Sequence, residues 1–319
     1  MSEWKVQVVK VGPLTKHPNA DRLMLTKVFD YPVITAIGEL QEGDTAIYVP
    51  VDSVVPADDP RWTFLQGHLR VKAKKLRGIF SMGLLTKAEP GMAVDEIVAD
   101  RLRIVKYEPP EQATTGGEAE KCPFEWPKYT DLESIRRYPD VLTEGEEVVL
   151  TEKVHGTSAR YVWKDGRLWV GSHKEVKRES QGSAYWKAAV QIDLAKRLET
   201  VAGIAIYGEV YGWVQDLRYG HTAGKVSLVL FDAMDLSTLR YLDVDDFLAL
   251  AKKLELPTVP ALYRGPWKQD LRALAEGKTM LGADHVREGF VVRPVKERFD
   301  ERVQRVVLKY HGEGYLLKS

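Results

Sequence analysis

The sequence predicts an α+β protein of two domains, a small strand-rich barrel followed by a larger domain of antiparallel sheets flanked by helices. Three observations carry this expectation. Residues from Trp4 to about Val55 break into short apolar runs with turns between them and no helical periodicity. Residues 107–127 are poor in apolar side chains and rich in chain breakers. Beyond them, an Asp-Gly hairpin signal and two stretches of helical apolar spacing alternate with apolar strands that end on charged residues.

At 319 residues the chain has room for two domains, each with its own core. Charged residues make up 29% and hydrophobic ones 44%, which argues against both a disordered chain and a membrane bundle. No apolar run reaches about 18 residues and no leader pattern opens the chain, so the expectation is a cytoplasmic protein with no membrane contact. A lone Cys122 excludes an internal disulfide and a cysteine metal cluster. The formal net charge is zero, yet Arg61 to Lys87 holds seven basic residues and no acidic one. That local basic surface is enough to hold several phosphates.

In the first domain, strands are expected at Trp4–Val9, Leu23–Val28, Val33–Ile37 and Thr45–Val49, close enough together for a small closed barrel. Next comes Leu69–Leu85, in which Arg70, Lys72, Lys74, Lys75 and Arg77 interleave with apolar residues. These five are the candidate nucleic-acid contacts, with Phe80 or Trp62 as a stacking ring or as plain core. The domain boundaries are placed at 1–107, with a linker over 108–125 and a second domain over 126–319.

The second domain is expected to open with a short helix over 131–138. Asp165-Gly166 supplies the positive φ angles of a tight hairpin between Arg160–Trp163 and Leu168–Val170. A helix is expected over 183–199 with Trp186, Ala189, Val190 and Leu194 on one face, and another over 244–254 with Asp243 as N-cap. Apolar strands then lead to Glu209, to Phe231-Asp232 and to Lys309, and one follows Glu288. Charged residues at such strand ends can converge on a cleft.

The chain is organised around Leu150-Thr151-Glu152-Lys153-Val154-His155-Gly156-Thr157, a lysine between an apolar lead-in and a glycine turn. Lys153 is the candidate nucleophile. An amine attacks phosphorus only as the free base, which calls for partial burial and a nearby cation or metal. Gly156 lets the backbone come close to a phosphate or sugar, and Thr157 can donate a hydrogen bond.

Downstream lie Tyr207-Gly208-Glu209-Val210-Tyr211-Gly212, Leu228–Asp232, Arg287-Glu288-Gly289 and Val307-Leu308-Lys309, in that order. Together with Lys153-Val154-His155-Gly156-Thr157, this series resembles the covalent nucleotidyltransferases: ATP-dependent DNA and RNA ligases and messenger RNA capping enzymes. His155 in the third place, with Trp126-Pro127-Lys128-Tyr129 and Ile135-Arg136 upstream, is similar to the nick-sealing RNA ligase branch. His17–Leu23 resembles the first turn of the transfer-RNA-binding OB-fold family, which implies an OB-like barrel in the first domain.

The resemblance implies an ATP-dependent RNA ligase that joins 3′-hydroxyl and 5′-phosphate ends of RNA, with a nucleotidyltransferase domain and no obligate protein partner. Lys153 would carry AMP, and Lys309 would contact the α-phosphate. Glu288 and Glu209 would hold Mg²⁺ or Mn²⁺, Glu209 alternatively bonding the ribose. Glu152 would accept from the adenine amino group, Phe231 would stack on the ring or serve as core, and His155 would orient the 5′-phosphate or cap the turn. Relatives often carry Lys-x-Lys where this chain has Val307-Leu308-Lys309, so Arg305 or Arg293 is the candidate for the missing cation. The ribose-contacting cation after the hairpin is left open at Ser172-His173-Lys174. Only ten residues follow Lys309, which argues against a DNA ligase or capping enzyme with a further domain there. A GTP-dependent guanylyltransferase, a DNA ligase and an inactive nucleic-acid-binding protein are the alternatives.

Overall fold

The computed structural model describes residues 4–108 and 117–318. The chain forms two compact units that are discontinuous in sequence: the described residues of 1–109, 133–140 and 313–319, and those of 110–132 and 141–312. The expected linker over 108–125 lies partly outside the described residues, and its described part from 117 belongs to the second unit. Among the described residues no helix is long and apolar enough to cross a membrane.

The first unit is built from β1 (Gln7–Lys10), β2 (Leu23–Val28), β3 (Tyr31–Ala36), β4 (Thr45–Val49), β5 (Lys74–Leu76), β6 (Ile79–Ser81) and β7 (Leu84–Lys87). β4 pairs antiparallel with β1 on one side and β7 on the other; β2 with β3, and β5 with β6, form hairpins. Both faces of β1 and β4 are buried. Val8, Ile47 and Val49 join Trp62 in one cluster, and Val9, Ala46 and Tyr48 join Val28 and Val33 in another. Hence successive residues, Val8-Val9 in β1 and Ala46 to Val49 in β4, are apolar rather than alternating. The β5–β6 turn is Arg77-Gly78, both with positive φ (48° and 89°), the geometry a two-residue hairpin requires.

The second unit contains β8 (Glu147–Glu152), β9 (Thr157–Lys164), β10 (Arg167–Ser172), α1 (Ala184–Gln191), α2 (Leu194–Glu199), β11 (Ile204–Gly212), β12 (Val226–Asp235), α3 (Val244–Lys253), β13 (Ala261–Pro266), β14 (Gly289–Pro294) and β15 (Leu308–His311). One antiparallel sheet runs β10-β9-β11-β12, and a second runs β15-β14-β8-β13. The hairpin at Asp165-Gly166 forms as predicted, with φ of 52° and 75°. On one face of the first sheet, Tyr161, Ile206, Leu228 and Leu230 pack with Trp186, Leu194, Leu198 and Phe247 from the helices.

Three expectations are corrected. The helix over 183–199 is two helices, broken at Asp193, which adopts φ 47°; Val190 then points to solvent while Trp186, Ala189 and Leu194 are buried. No helix forms over 131–138. Ser134 accepts from the Arg136 amide through its hydroxyl and from the Arg137 and Tyr138 amides through its carbonyl, closing a local turn instead. Asp243 precedes α3 as expected, but its carboxylate bonds Lys296 Nζ and the Glu297 amide rather than the helix amides.

Candidate active site

The candidate constellation is drawn from both sheets of the second unit: Lys153 follows β8 and Glu288 precedes β14, whereas Glu209 and Lys309 lie within β11 and β15 rather than at the strand ends the sequence suggested. Lys153 follows β8, and its amide donates to Gly289 O at 3.0 Å at the start of β14. That pairing sets Lys153 beside Glu288, and Lys153 Nζ lies 2.6 Å from Glu288 Oε1. From the other sheet, Ser158 on β9 pairs with Glu209 on β11, and the Glu209 carboxyl feels both Lys153 and Glu288, which brings it to the same cleft. Gly156 is where the two meet. A Cβ there would lie 2.2 Å from Val210 O and 3.1 Å from Glu209 Cγ, so the turn has no room for a side chain.

Electrostatics at this point are governed by burial and by two carboxylates around one amine. Burial pulls the Lys153 pKa down, but Glu288 and Glu209 outweigh it, so the ammonium is held above its ordinary range. Burial alone would raise Glu288; Lys153, with the His155 and His311 imidazoles beside it, holds it well below the usual carboxylate range. Glu209 is pushed up to about 8, first by burial and then by Glu288, against the opposing pull of Lys153. The expectation of an amine depressed by nearby cations is therefore reversed in this state: carboxylates surround Lys153.

His155 is held from three directions. Its amide donates to Tyr219 Oη at 2.7 Å, Nε2 lies 2.6 Å from Asp216 Oδ1, and Nδ1 lies 3.4 Å from Glu288 Oε2. Burial lowers its pKa, but the two carboxylates prevail and raise it. On β15, Lys309 pairs with Val291 and His311 with Gly289, and His311 Nε2 reaches Glu288 Oε1 at 3.2 Å. Side chains two apart on a strand share a face, so Lys309 lies on the His311 side.

Glu152 is buried, and its oxygens accept from Thr279 Oγ1 at 2.5 Å and the Met280 amide at 2.7 Å. It latches the loop 277–287 to β8. Phe231 is half-buried against Tyr129, Val229, Tyr219 and Val259. Thr157 Oγ1 bonds Tyr185 Oη at 2.8 Å.

Arg293 and Arg305 do not supply a second cation to the cleft. Both are buried on Asp232, at 2.9 and 2.7 Å, and both also bond Glu297. Two guanidiniums sharing the buried Asp232 and the half-buried Glu297 are structural, because moving either would leave a buried charge unpaired.

In the first unit, Lys72, Lys74, Lys75 and Arg77 are exposed, Lys75 lying 3.8 Å from Glu313. Arg70 instead bonds Asp52 and lies 3.9 Å over the Tyr107 ring, and Arg61 bonds Asp59 and Glu89. Phe80 and Trp62 are buried core rather than stacking platforms.

A family model described as RNA ligase matches residues 146–311, just over half of the chain and all of the strands that build this site. The chain belongs to the RNA ligase family. It is thus an enzyme that forms phosphodiester bonds, and RNA ends are the substrates its family acts on. A model described as an OB-fold domain matches residues 5–88, the strand-rich part of the first unit. The RNA ligase is similar in fold to solved structures of Naegleria gruberi RNA ligase. A lysine-to-alanine mutant with ATP and Mn aligns at TM-score 0.86 and 22% identity over 98% of each chain. The protein with PPi aligns at TM-score 0.86 and 24% identity, covering 99% of this chain and 98% of that one. A glutamate-to-alanine mutant with AMP and Mn aligns at 0.87 and 23% over 99% of each. No curated protein matches the chain in sequence.

Sequence reasoning missed His311, Asp216, Tyr219 and Thr279. Only His311 had a signal, its place two residues beyond Lys309 on the same strand.

Proposed function

We propose that this RNA ligase takes AMP from ATP onto Lys153, passes it to an RNA 5′-phosphate, and seals that end to a 3′-hydroxyl. In the first step Lys153 Nζ bonds the α-phosphorus and the bond to pyrophosphate breaks. In the second an oxygen of the 5′-phosphate displaces the amine from AMP. In the third the 3′-hydroxyl oxygen attacks the 5′-phosphorus and expels AMP. Each step is an in-line displacement, in which positioning and charge neutralisation supply most of the rate.

The observation that carries the reading is Lys153 Nζ at 2.6 Å from Glu288 Oε1 with Glu209 facing the same point. An amine paired with the Glu288 carboxylate rests as the ammonium, so the first step starts with the loss of that proton. Glu288 and Glu209 fit a divalent cation. Glu288 Oε2 is buried, and among the described residues no donor comes closer to it than His155 Nδ1 at 3.4 Å. Glu209 retains a proton that a cation would displace. Among the described residues no group of three or more His, Cys, Asp or Glu is arranged as a metal cage, so an ion there would keep most of its water, as Mg²⁺ or Mn²⁺ does. When bound, it supplies the positive charge that draws the carboxylates off the ammonium and lowers the Lys153 pKa.

The remaining roles follow from position. Lys309 faces the α-phosphate, Gly156 lets the backbone approach it, and Phe231 stacks on adenine. His155, braced by Asp216, presents its imidazole to the incoming 5′-phosphate. Glu152 holds the loop 277–287 over the base, and a third bond to the adenine amino group adds to the two it already accepts. Lys72, Lys74, Lys75 and Arg77 hold RNA phosphates, while Arg70 stays engaged with Asp52 and Tyr107. RNA ends as substrates suit a cytoplasmic location.

The test is incubation with labelled ATP or labelled GTP and a divalent metal, followed by denaturing electrophoresis. A labelled band from ATP is expected. A band from GTP alone would replace this reading with a capping-type guanylyltransferase.

A further inference from the structure

The strand that carries Phe231 is bulged at that residue. In the ladder between β11 and β12, Tyr207 pairs with Asp232 and Gly208 with Leu230, which leaves Phe231 with no opposite number. An extra residue in one strand resets the alternation of faces beyond it. Leu228, Leu230 and Ala233 therefore enter the helix-covered core, whereas Val229, Phe231 and Met234 face the other side. Asp232 faces that side too, because it accepts from Tyr129 Oη at 2.9 Å. Two adjacent residues thus point the same way, one to the nucleotide pocket and one to an anchor.

The anchor is heavily built. Asp232 is fully buried and takes Arg293, Arg305 and Tyr129 together. Tyr129 stands with its ring 4.9 Å from Phe231 at an interplanar angle of 63°, edge to face. Tyr207 at 4.9 Å and Tyr241 at 5.5 Å confine the same ring. Tyr241 Oη donates to Lys128 O and accepts from the Thr130 amide, fixing the backbone on either side of Tyr129.

We propose that Tyr129 is a positioning residue for nucleotide binding: hung from Asp232, it holds the Phe231 ring at the tilt that stacks on adenine, without touching the nucleotide itself. The proposal rests on the reading of Phe231 as the base-stacking ring. A ring already confined loses little freedom on binding, so more of the stacking energy appears as affinity.

The test measures the rate of lysyl-adenylate formation against ATP concentration for wild type, Tyr129→Phe, Tyr129→Leu, Phe231→Leu and the Tyr129→Leu/Phe231→Leu double variant. Tyr129→Leu removes the ring and is expected to raise KM for ATP about 3- to 10-fold with kcat within about twofold. Tyr129→Phe keeps the ring and loses the bond to Asp232, for a KM rise of about twofold to threefold. The double variant should show no rise beyond Phe231→Leu alone, since one residue acts through the other. A purely structural role would lower the melting temperature and the active fraction with KM unchanged. Should Tyr129→Leu not fold, Tyr129→Phe decides on the same KM criterion. Wild type active, with KM unchanged in every folded Tyr129 variant, overturns this proposal alone. Wild type forming no adduct overturns the nucleotide reading and this proposal with it.

Discussion

Lys153 and Glu288 form a half-buried ion pair, Nζ to Oε1 at 2.6 Å, which holds the proposed nucleophile in its protonated form. The same carboxylate also meets His155 and His311, so a single buried side chain ties β8, the turn after it and β15 together.

Replacing that carboxylate by an amide tests the arrangement. Glu288→Gln keeps the shape but loses the charge that a metal needs, and adduct formation should fall at least about 100-fold, as for loss of a preorganised electrostatic group. Single-turnover labelling with ATP reads this directly. A fall of less than about threefold would remove Glu288 from the metal site.

Glu209 gives a stability prediction with a definite sign. Its folded pKa of about 8 lies above the ordinary 4.5, so the folded state binds its proton more tightly than the unfolded chain. The stabilisation is complete below the unfolded value and is lost as pH rises through the folded one. Metal-free wild type should therefore lose more melting temperature between about pH 5 and about pH 9 than Glu209→Gln does. Added Mn²⁺ should narrow the gap. Parallel curves for the two proteins would show that Glu209 ionises normally.

Gly156→Ala places a Cβ 2.2 Å from a backbone carbonyl that cannot swing aside. A cost of about 1–3 kcal/mol in stability is expected, as for overpacking elsewhere, with adduct formation suppressed by displacement of Glu209. Thermal melts and the labelling assay report the two effects separately. An unaltered melt would mean that the turn is open.

Neutralising Lys72, Lys74 and Arg77 to Gln should leave adduct formation intact and weaken RNA binding. The slope of log affinity against log salt should shrink by about 2 to 3, close to one for each phosphate that no longer meets a cation. An unchanged slope would place the RNA elsewhere.

How much of this was legible in the sequence depended on whether a residue's role is local. Lys153, Glu209, Glu288 and Lys309 could be named because each sits in a short motif that is readable by itself. Arg293 and Arg305 looked equally available, since a sequence displays a cation without its partner, and Asp232 lies far off in the chain. The basic run was legible as a count of charges, but the acids that absorb Arg61 and Arg70 lie outside it, at Asp52, Asp59 and Glu89. The same limit applies to the fold. Strand positions and the Asp165-Gly166 turn follow from nearest neighbours, whereas the two-unit division depends on residues 133–140 and 313–318 belonging with the first unit.

Whether Lys153 carries the nucleotide is open to direct measurement. Wild type and Lys153→Ala are incubated with α-labelled ATP and Mn²⁺, and the labelled adduct is mapped by peptide mass spectrometry. AMP on Lys153 is expected in wild type, and a folded variant that takes up no label. An adduct on a different side chain, or label retained by Lys153→Ala, would contradict it.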